Sequence, residues 1–142
     1  MIFFKINSEE GLIEVAREIL KHINKSNIIL LEGDLGSGKT TLCSYLLNEY
    51  ANIKTVTSPS FGIVNIYSSD NQKIFHYDLY RIKSEEELYG IEFEQSLNDG
   101  LVLIEWPEIA KTILDNYKTI KVKIDFLSEN SRYIKIHFQR ID

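Results

Sequence analysis

Gly33-Asp34-Leu35-Gly36-Ser37-Gly38-Lys39-Thr40 matches G-x-x-x-x-G-K-[ST] at every position, and that spacing suits phosphate chemistry. Glycines let successive backbone N–H groups turn inward around phosphate oxygens, and a helix opening at the end of the run adds partial positive charge. In such a loop Lys39 reaches the β- and γ-phosphates and the Thr40 hydroxyl binds Mg²⁺. Nucleotide binding is the chemistry predicted. Phosphoryl transfer also needs an acid at the end of a second core strand to hold the metal and its water. Glu105, ending the apolar run Leu101-Val102-Leu103-Ile104, takes that place, and Asp78, after Ile74-Phe75-His76-Tyr77, is a second candidate. Read singly, Glu105 could be a surface strand-end carboxylate and Asp78 the cap of a turn.

Other polar residues carry less. Ser58-Pro59-Ser60-Phe61 lies where many P-loop proteins sense the γ-phosphate, although on the residues alone an ordinary proline turn is the simpler reading. His76 is expected to be a satisfied packing or hydrogen-bonding residue on a strand rather than a general base. Cys43 falls on the helix after the loop and reads as a small buried apolar residue. Lys118, Lys121 and Lys123 read as the solvated face of a strand.

The elements that must position these groups follow from periodicity. Ile2 to Ile6 predicts an edge strand. Ser8, followed by Glu9 and Glu10, predicts a helix start, and Leu12, Ile13, Ala16, Ile19, Leu20 and Ile23 keep helical spacing to Ile23. Ile28-Ile29-Leu30-Leu31 is a run suited to a strand buried on both faces. The glycine turn then leads into a helix carrying Leu42, Leu46, Leu47 and Tyr50, the opening of a parallel α/β unit. Phe61 to Tyr67 and Lys73 to Leu79 predict strands on either side of Ser68-Ser69-Asp70-Asn71. Ser84 and Glu87 fit a capping box, and Pro107 suits the first turn of a helix after Glu105. Thr119 to Asp125 and Arg132 to Phe138 alternate as an antiparallel hairpin.

Composition sets the outer bounds. With 142 residues, 44% hydrophobic and 26% charged, the chain fits one globular domain over residues 1–142 rather than a disordered polymer. No apolar run approaches the roughly 18 residues of a membrane span, and MIFFKINSEE lacks the pattern of a secretory signal. A cytoplasmic location is expected. One cysteine and three histidines offer no zinc-type spacing. The net charge of −5 argues against wholesale binding of nucleic-acid backbone. Arginine is scarce: Arg17, Arg81, Arg132 and Arg140 are the whole set.

Guanine specificity through N-K-x-D is not supported. The nearest stretch, Asn24-Lys25-Ser26-Asn27, lacks the final Asp and precedes the loop, so ATP is favoured. A small-molecule kinase would need a lid with several arginines, of which this chain offers few, so that is a third and weaker reading.

The glycine loop with Thr41, the Ser58-Pro59-Ser60-Phe61 stretch, His76-Tyr77-Asp78-Leu79-Tyr80-Arg81 and Glu105-Trp106-Pro107 occur in the order of the TsaE (YjeE) family. The chain resembles that family over essentially its whole length. The resemblance implies a single P-loop NTPase-type domain: a mostly parallel central sheet, flanking helices and an antiparallel C-terminal hairpin. It implies a Mg²⁺-dependent ATPase of bacterial tRNA threonylcarbamoyladenosine biosynthesis, acting with TsaB and TsaD and meeting tRNA only through that complex. The resemblance also implies that it is not itself the transferase. By position, Thr40 and Glu105 would hold Mg²⁺, Lys39 the phosphates, and Asp78 would act in hydrolysis, so Lys39, Asp78 and Glu105 form the catalytic set. Nucleotide contacts would come from Gly33, Gly36, Ser37, Gly38, Lys39, Thr40 and Thr41, from near Glu9, and from Ser131-Arg132, where the family more often has Gly-Arg. Ser37 and Ser60 stand where Ala and Thr are usual. The alternative is a nucleotide-dependent conformational switch with negligible turnover.

Overall fold

The computed structural model describes residues 1–54, 56 and 62–140. Its elements are β1 (Ile2–Ile6), α1 (Leu12–Leu20), β2 (Ile28–Gly33), α2 (Lys39–Ala51), β3 (Val64–Ser69), β4 (Gln72–Asp78), α3 (Glu86–Tyr89), α4 (Phe93–Ser96), β5 (Gly100–Glu105), α5 (Lys111–Leu114), β6 (Thr119–Phe126) and β7 (Arg132–Gln139). Seven strands form one sheet in the order β1-β7-β6-β2-β5-β4-β3. The central four, β6-β2-β5-β4, run parallel, and β7, β1 and β3 are added antiparallel at the two sides. The α/β class with an antiparallel C-terminal hairpin is as expected.

Strand alternation divides the apolar residues between two cores. Ile29, Leu31, Leu101, Leu103 and Ile74 face α1 and α2, while Ile28, Leu30, Val102, Ile104, Phe75 and Tyr77 face α3, α4 and α5. Runs apolar at every position are what a sheet covered on both faces requires. His76 and Glu105 take the parity of the first set, so both lie beneath α2 although neither is apolar.

Several boundaries differ from the sequence reading. Ser8 makes no side-chain cap; a 3₁₀ turn over Glu9–Gly11 precedes α1. The helix ends at Leu20 rather than Ile23, because the next residues close i→i+3 bonds, His22 to the Ile19 carbonyl and Ile23 to that of Leu20. The described part of β3 begins at Val64; Phe61 and the rest of the Ser58–Phe61 stretch lie outside the described residues. Asp70 and Asn71, both at positive φ, make the two-residue turn that pairs Ser69 with Gln72. Glu87 accepts from the Ser84 amide as a capping box requires, but the helix it starts is a single turn. α4, also one turn long, carried no periodicity to read. Pro107 opens a 3₁₀ turn that runs into α5. No helix among the described residues is long and apolar enough to cross a membrane.

Candidate functional site

The carboxyl ends of three parallel strands lie side by side. Leu31 of β2 is the Cα partner of Glu105 in β5, and Glu105 that of Asp78 in β4. Ligands of open parallel α/β sheets bind at this edge, and here β2 passes into the glycine loop and α2.

Loop geometry follows from the glycines. Gly36 and Gly38 take φ of +78° and +117°, conformations that a side chain rarely adopts. A Cβ on Gly33 would stand 2.5 Å from the Ser37 hydroxyl and 2.8 Å from the Ile124 carbonyl, whereas one on Gly36 would meet nothing within 4 Å. The loop is therefore packed where it leaves β2 and open where a phosphate would enter.

Two clefts flank it and share Gly36, Gly38 and Thr41. The smaller, about 270 Å³, is also lined by Leu35, Lys39, Thr40, Asp78, Glu105 and Trp106. Within it the Thr40 hydroxyl lies 3.0 and 3.2 Å from the two Glu105 carboxylate oxygens. Lys39 Nζ donates to the Gly33 carbonyl and, at 3.1 Å, to that of Asp34, and it sits 3.9 Å from the centre of the Trp106 ring. Burial is the main influence lowering the Lys39 pKa, opposed by Glu105, Asp78, Glu108 and Asp34. Trp106 is placed over the lysine by an αL backbone, φ +57°, just before Pro107, a conformation costly for a bulky residue. Asp78 accepts from the Tyr80 amide at 3.1 Å.

The larger cleft, about 450 Å³, is lined by Asn7, Ser8, Glu9, Leu12, Ser37, Asn130 and Arg132 among others. Glu9 and Arg132 thus flank the loop from opposite ends of the sequence. Arg132 Nε donates to the Ser37 carbonyl at 3.1 Å, its Nη1 reaches the Ser128, Glu129 and Ser131 carbonyls, and the guanidinium lies over Phe126. It clasps the loop to the β6–β7 turn. Ser131 is not among the lining residues; its hydroxyl donates at 3.1 Å to the side-chain oxygen of Asn7, which is.

Glu105 is not a surface carboxylate. It is 2% exposed, and besides Thr40 it contacts His76 Nε2 at 2.6 Å. His76, 0% exposed, is a hydrogen-bonding residue on a strand, one of the two readings its sequence allowed, but its partner Glu105 was not foreseen. The one available signal was a polar residue at an apolar-parity position two before Asp78. Hard oxygen donors from a hydroxyl and a carboxylate beside a phosphate loop fit Mg²⁺. Glu105→Gln, which keeps shape and removes charge, should weaken Mg²⁺-dependent nucleotide binding at least tenfold while thermal stability changes little. Calorimetric titration in Mg²⁺ and in EDTA checks this. Should the loss be the same in EDTA, Glu105 is not the metal acid.

Ser37 shows a local cost. Its hydroxyl is buried with no hydrogen-bond partner among the described residues. Burying an unsatisfied hydroxyl costs about 1–3 kcal/mol, so Ser37→Ala should raise the urea midpoint by an amount corresponding to about 1 kcal/mol. A lower midpoint would mean that the hydroxyl has a partner in solution.

Comparison with known proteins bears on the same features. The family model described as "Threonylcarbamoyl adenosine biosynthesis protein TsaE" matches residues 6–134. A Rickettsia felis protein called tRNA threonylcarbamoyladenosine biosynthesis protein TsaE is 40% identical over 132 residues, covering 92% of this chain and 77% of that one. The Aquifex aeolicus protein of that name is 33% identical over 134 residues, covering 93% and 92%. In structure, the chain is similar to YdiB of Bacillus subtilis, with a TM-score of 0.71 over 99% of this chain and 86% of that one at 22% identity, a likeness of fold. With the glycine loop, the strand-end acids and the clasping Arg132 all inside the matched span, the chain belongs to the TsaE family of tRNA threonylcarbamoyladenosine biosynthesis proteins.

Proposed function

We propose that the chain binds ATP with Mg²⁺ at the Gly33–Thr40 loop and hydrolyses it as a component of the threonylcarbamoyladenosine machinery, together with TsaB and TsaD. The carrying observation is the Thr40–Glu105 pair beside the loop, with Lys39 the one cation among the described residues lining that cleft. Loop amides and Lys39 bind and orient the β- and γ-phosphates; Thr40 and Glu105 would hold Mg²⁺, which supplies charge neutralisation between them. Lys39 then leaves the Gly33 and Asp34 carbonyls for phosphate oxygens, exchanging neutral acceptors for charged ones. Asp78, at the mouth of the cleft, is placed to orient a water. The adenosine end lies toward the larger cleft, between Glu9 and Arg132. Contact with tRNA is through the complex, and the machinery acts in the cytoplasm.

Trp106 provides the test. It is the only tryptophan, and its ring covers Lys39 and lies 4.8 Å from that of Tyr80. Moving the ammonium must change its surroundings, so saturable change in intrinsic fluorescence is expected with Mg-ATP and a weaker response with Mg-GTP. A flat titration, with binding shown independently by calorimetry, would place the nucleotide elsewhere. The switch reading, binding without turnover, is favoured by one observation: among the described residues, no arginine joins Lys39 in lining the cleft.

A further inference from the structure

We propose that His76 is the positioning residue of Glu105, donating its Nε2–H to the carboxylate and fixing the orientation that presents oxygen to Thr40 and the metal. This rests on the site reading above and extends it to a residue that touches neither nucleotide nor metal. His76 is 0% exposed and lines neither cleft flanking the loop, so its reach to the site is through Glu105.

Three observations carry the assignment. The contact is short, 2.6 Å between Nε2 and Oε2, as charge-assisted bonds are. The second ring nitrogen, Nδ1, is buried with no partner among the described residues. In a well-packed core such an orphan needs an explanation, and the position has the parity of Ile74, where an aliphatic residue would leave nothing unsatisfied. The polar ring is retained at a cost, and what it does there is hold Glu105.

Spacing supplies the third. His76 and Asp78 are two residues apart on β4, hence on one face, and Asp78 is the Cα partner of Glu105 while His76 pairs with Leu103. The carboxylate thus has a histidine beneath it, an aspartate beside it at the mouth, and Thr40 across from it on α2. Cys43 also lies close, its sulfur within 4.8 Å of the His76 and Glu105 donor atoms. Burial pushes its thiol pKa well up, so it brings no competing charge. Without the His76 donor, the carboxylate keeps only Thr40 among the described residues and can rotate away from the metal position.

The experiment combines a tautomer measurement with a binding split. In ¹⁵N-histidine-labelled, nucleotide-free protein, the His76 signals, identified by their loss in His76→Gln, should be those of a ring protonated at Nε2, and Glu105→Gln should alter them. In His76→Leu, the Mg²⁺ concentration for half-maximal tightening of ATP binding should rise at least tenfold, with affinity in EDTA within twofold of the parent. His76→Gln, whose amide N–H falls near the Nε2 position, should stay within threefold. His76→Asn, whose donor falls short, should behave like His76→Leu and serves in its place if the leucine variant does not fold. Parental Mg²⁺ dependence in His76→Leu and His76→Asn, equal losses with and without Mg²⁺, or a ring protonated only at Nδ1 would each overturn the proposal. A parent protein with no Mg²⁺-dependent tightening would overturn the metal reading itself, while the ring spectrum would still report whether His76 holds Glu105.

Discussion

Lys39→Ala should lose ATP binding by at least 100-fold in calorimetry and show no turnover above background. Among the described residues, the cleft beside the loop is lined by two carboxylates, Asp78 and Glu105, and by no cation other than Lys39. A hydrogen bond to a charged group contributes about 1.5–3 kcal/mol, and Lys39 can make two, so their loss corresponds to roughly 100-fold or more. The fold should survive. Lys39 binds only the loop carbonyls of Gly33 and Asp34 and stacks on Trp106, and its burial already disfavours the charged form. Retained binding with a parental circular dichroism spectrum would mean that the glycine loop is structural.

Turnover by the isolated protein should be slow despite that binding. An arginine on the developing charge contributes about 10³–10⁵ in rate in enzymes of this chemistry, and none is among the described residues that line the cleft. Arg17 is occupied by Glu14 and Glu49 on the outer side of α1. Arg132 is beside the loop, closer than its place in the tail suggested, but four backbone carbonyls hold it. Neither it nor Arg81 lines the cleft holding Lys39 and Glu105. On the proposed function, a partner would supply charge or fix the water near Asp78. Asp78→Ala should bind ATP within about threefold of the parent and lose at least 100-fold in partner-stimulated hydrolysis. Unchanged stimulated turnover would remove Asp78 from the mechanism.

What was legible in the sequence was what is contiguous. The glycine loop is eight successive residues, and its strand and helix are marked by an apolar run on one side and 3.6-residue spacing on the other. Glu105 could be placed because an apolar run ends on it. Its burial could not, since that comes from β4 lying next to β5 and α2 crossing above, which are matters of strand order and register. The His76–Glu105 contact spans 29 residues and the Arg132–Ser37 contact 95; nothing local marks either. The C-terminal hairpin was readable from alternation, whereas the parallel pairing of β6 with β2 was not. That pairing makes Lys121 a half-buried partner of Glu32, at 3.2 Å, rather than part of a freely solvated face. α4, a single turn, is set by tertiary packing of Phe93 and Ser96 against Tyr77.

Steady-state phosphate release across a titration of the TsaB–TsaD complex, at saturating Mg-ATP, tests the account most directly. The expected result is slow release from the chain alone, rising at least 100-fold to saturation at stoichiometric complex and absent with Lys39→Ala. Fast release by the chain alone, unchanged by the complex, would contradict a site completed by its partners. No release at any concentration of the complex, with ATP bound throughout, would contradict hydrolysis and leave the switch.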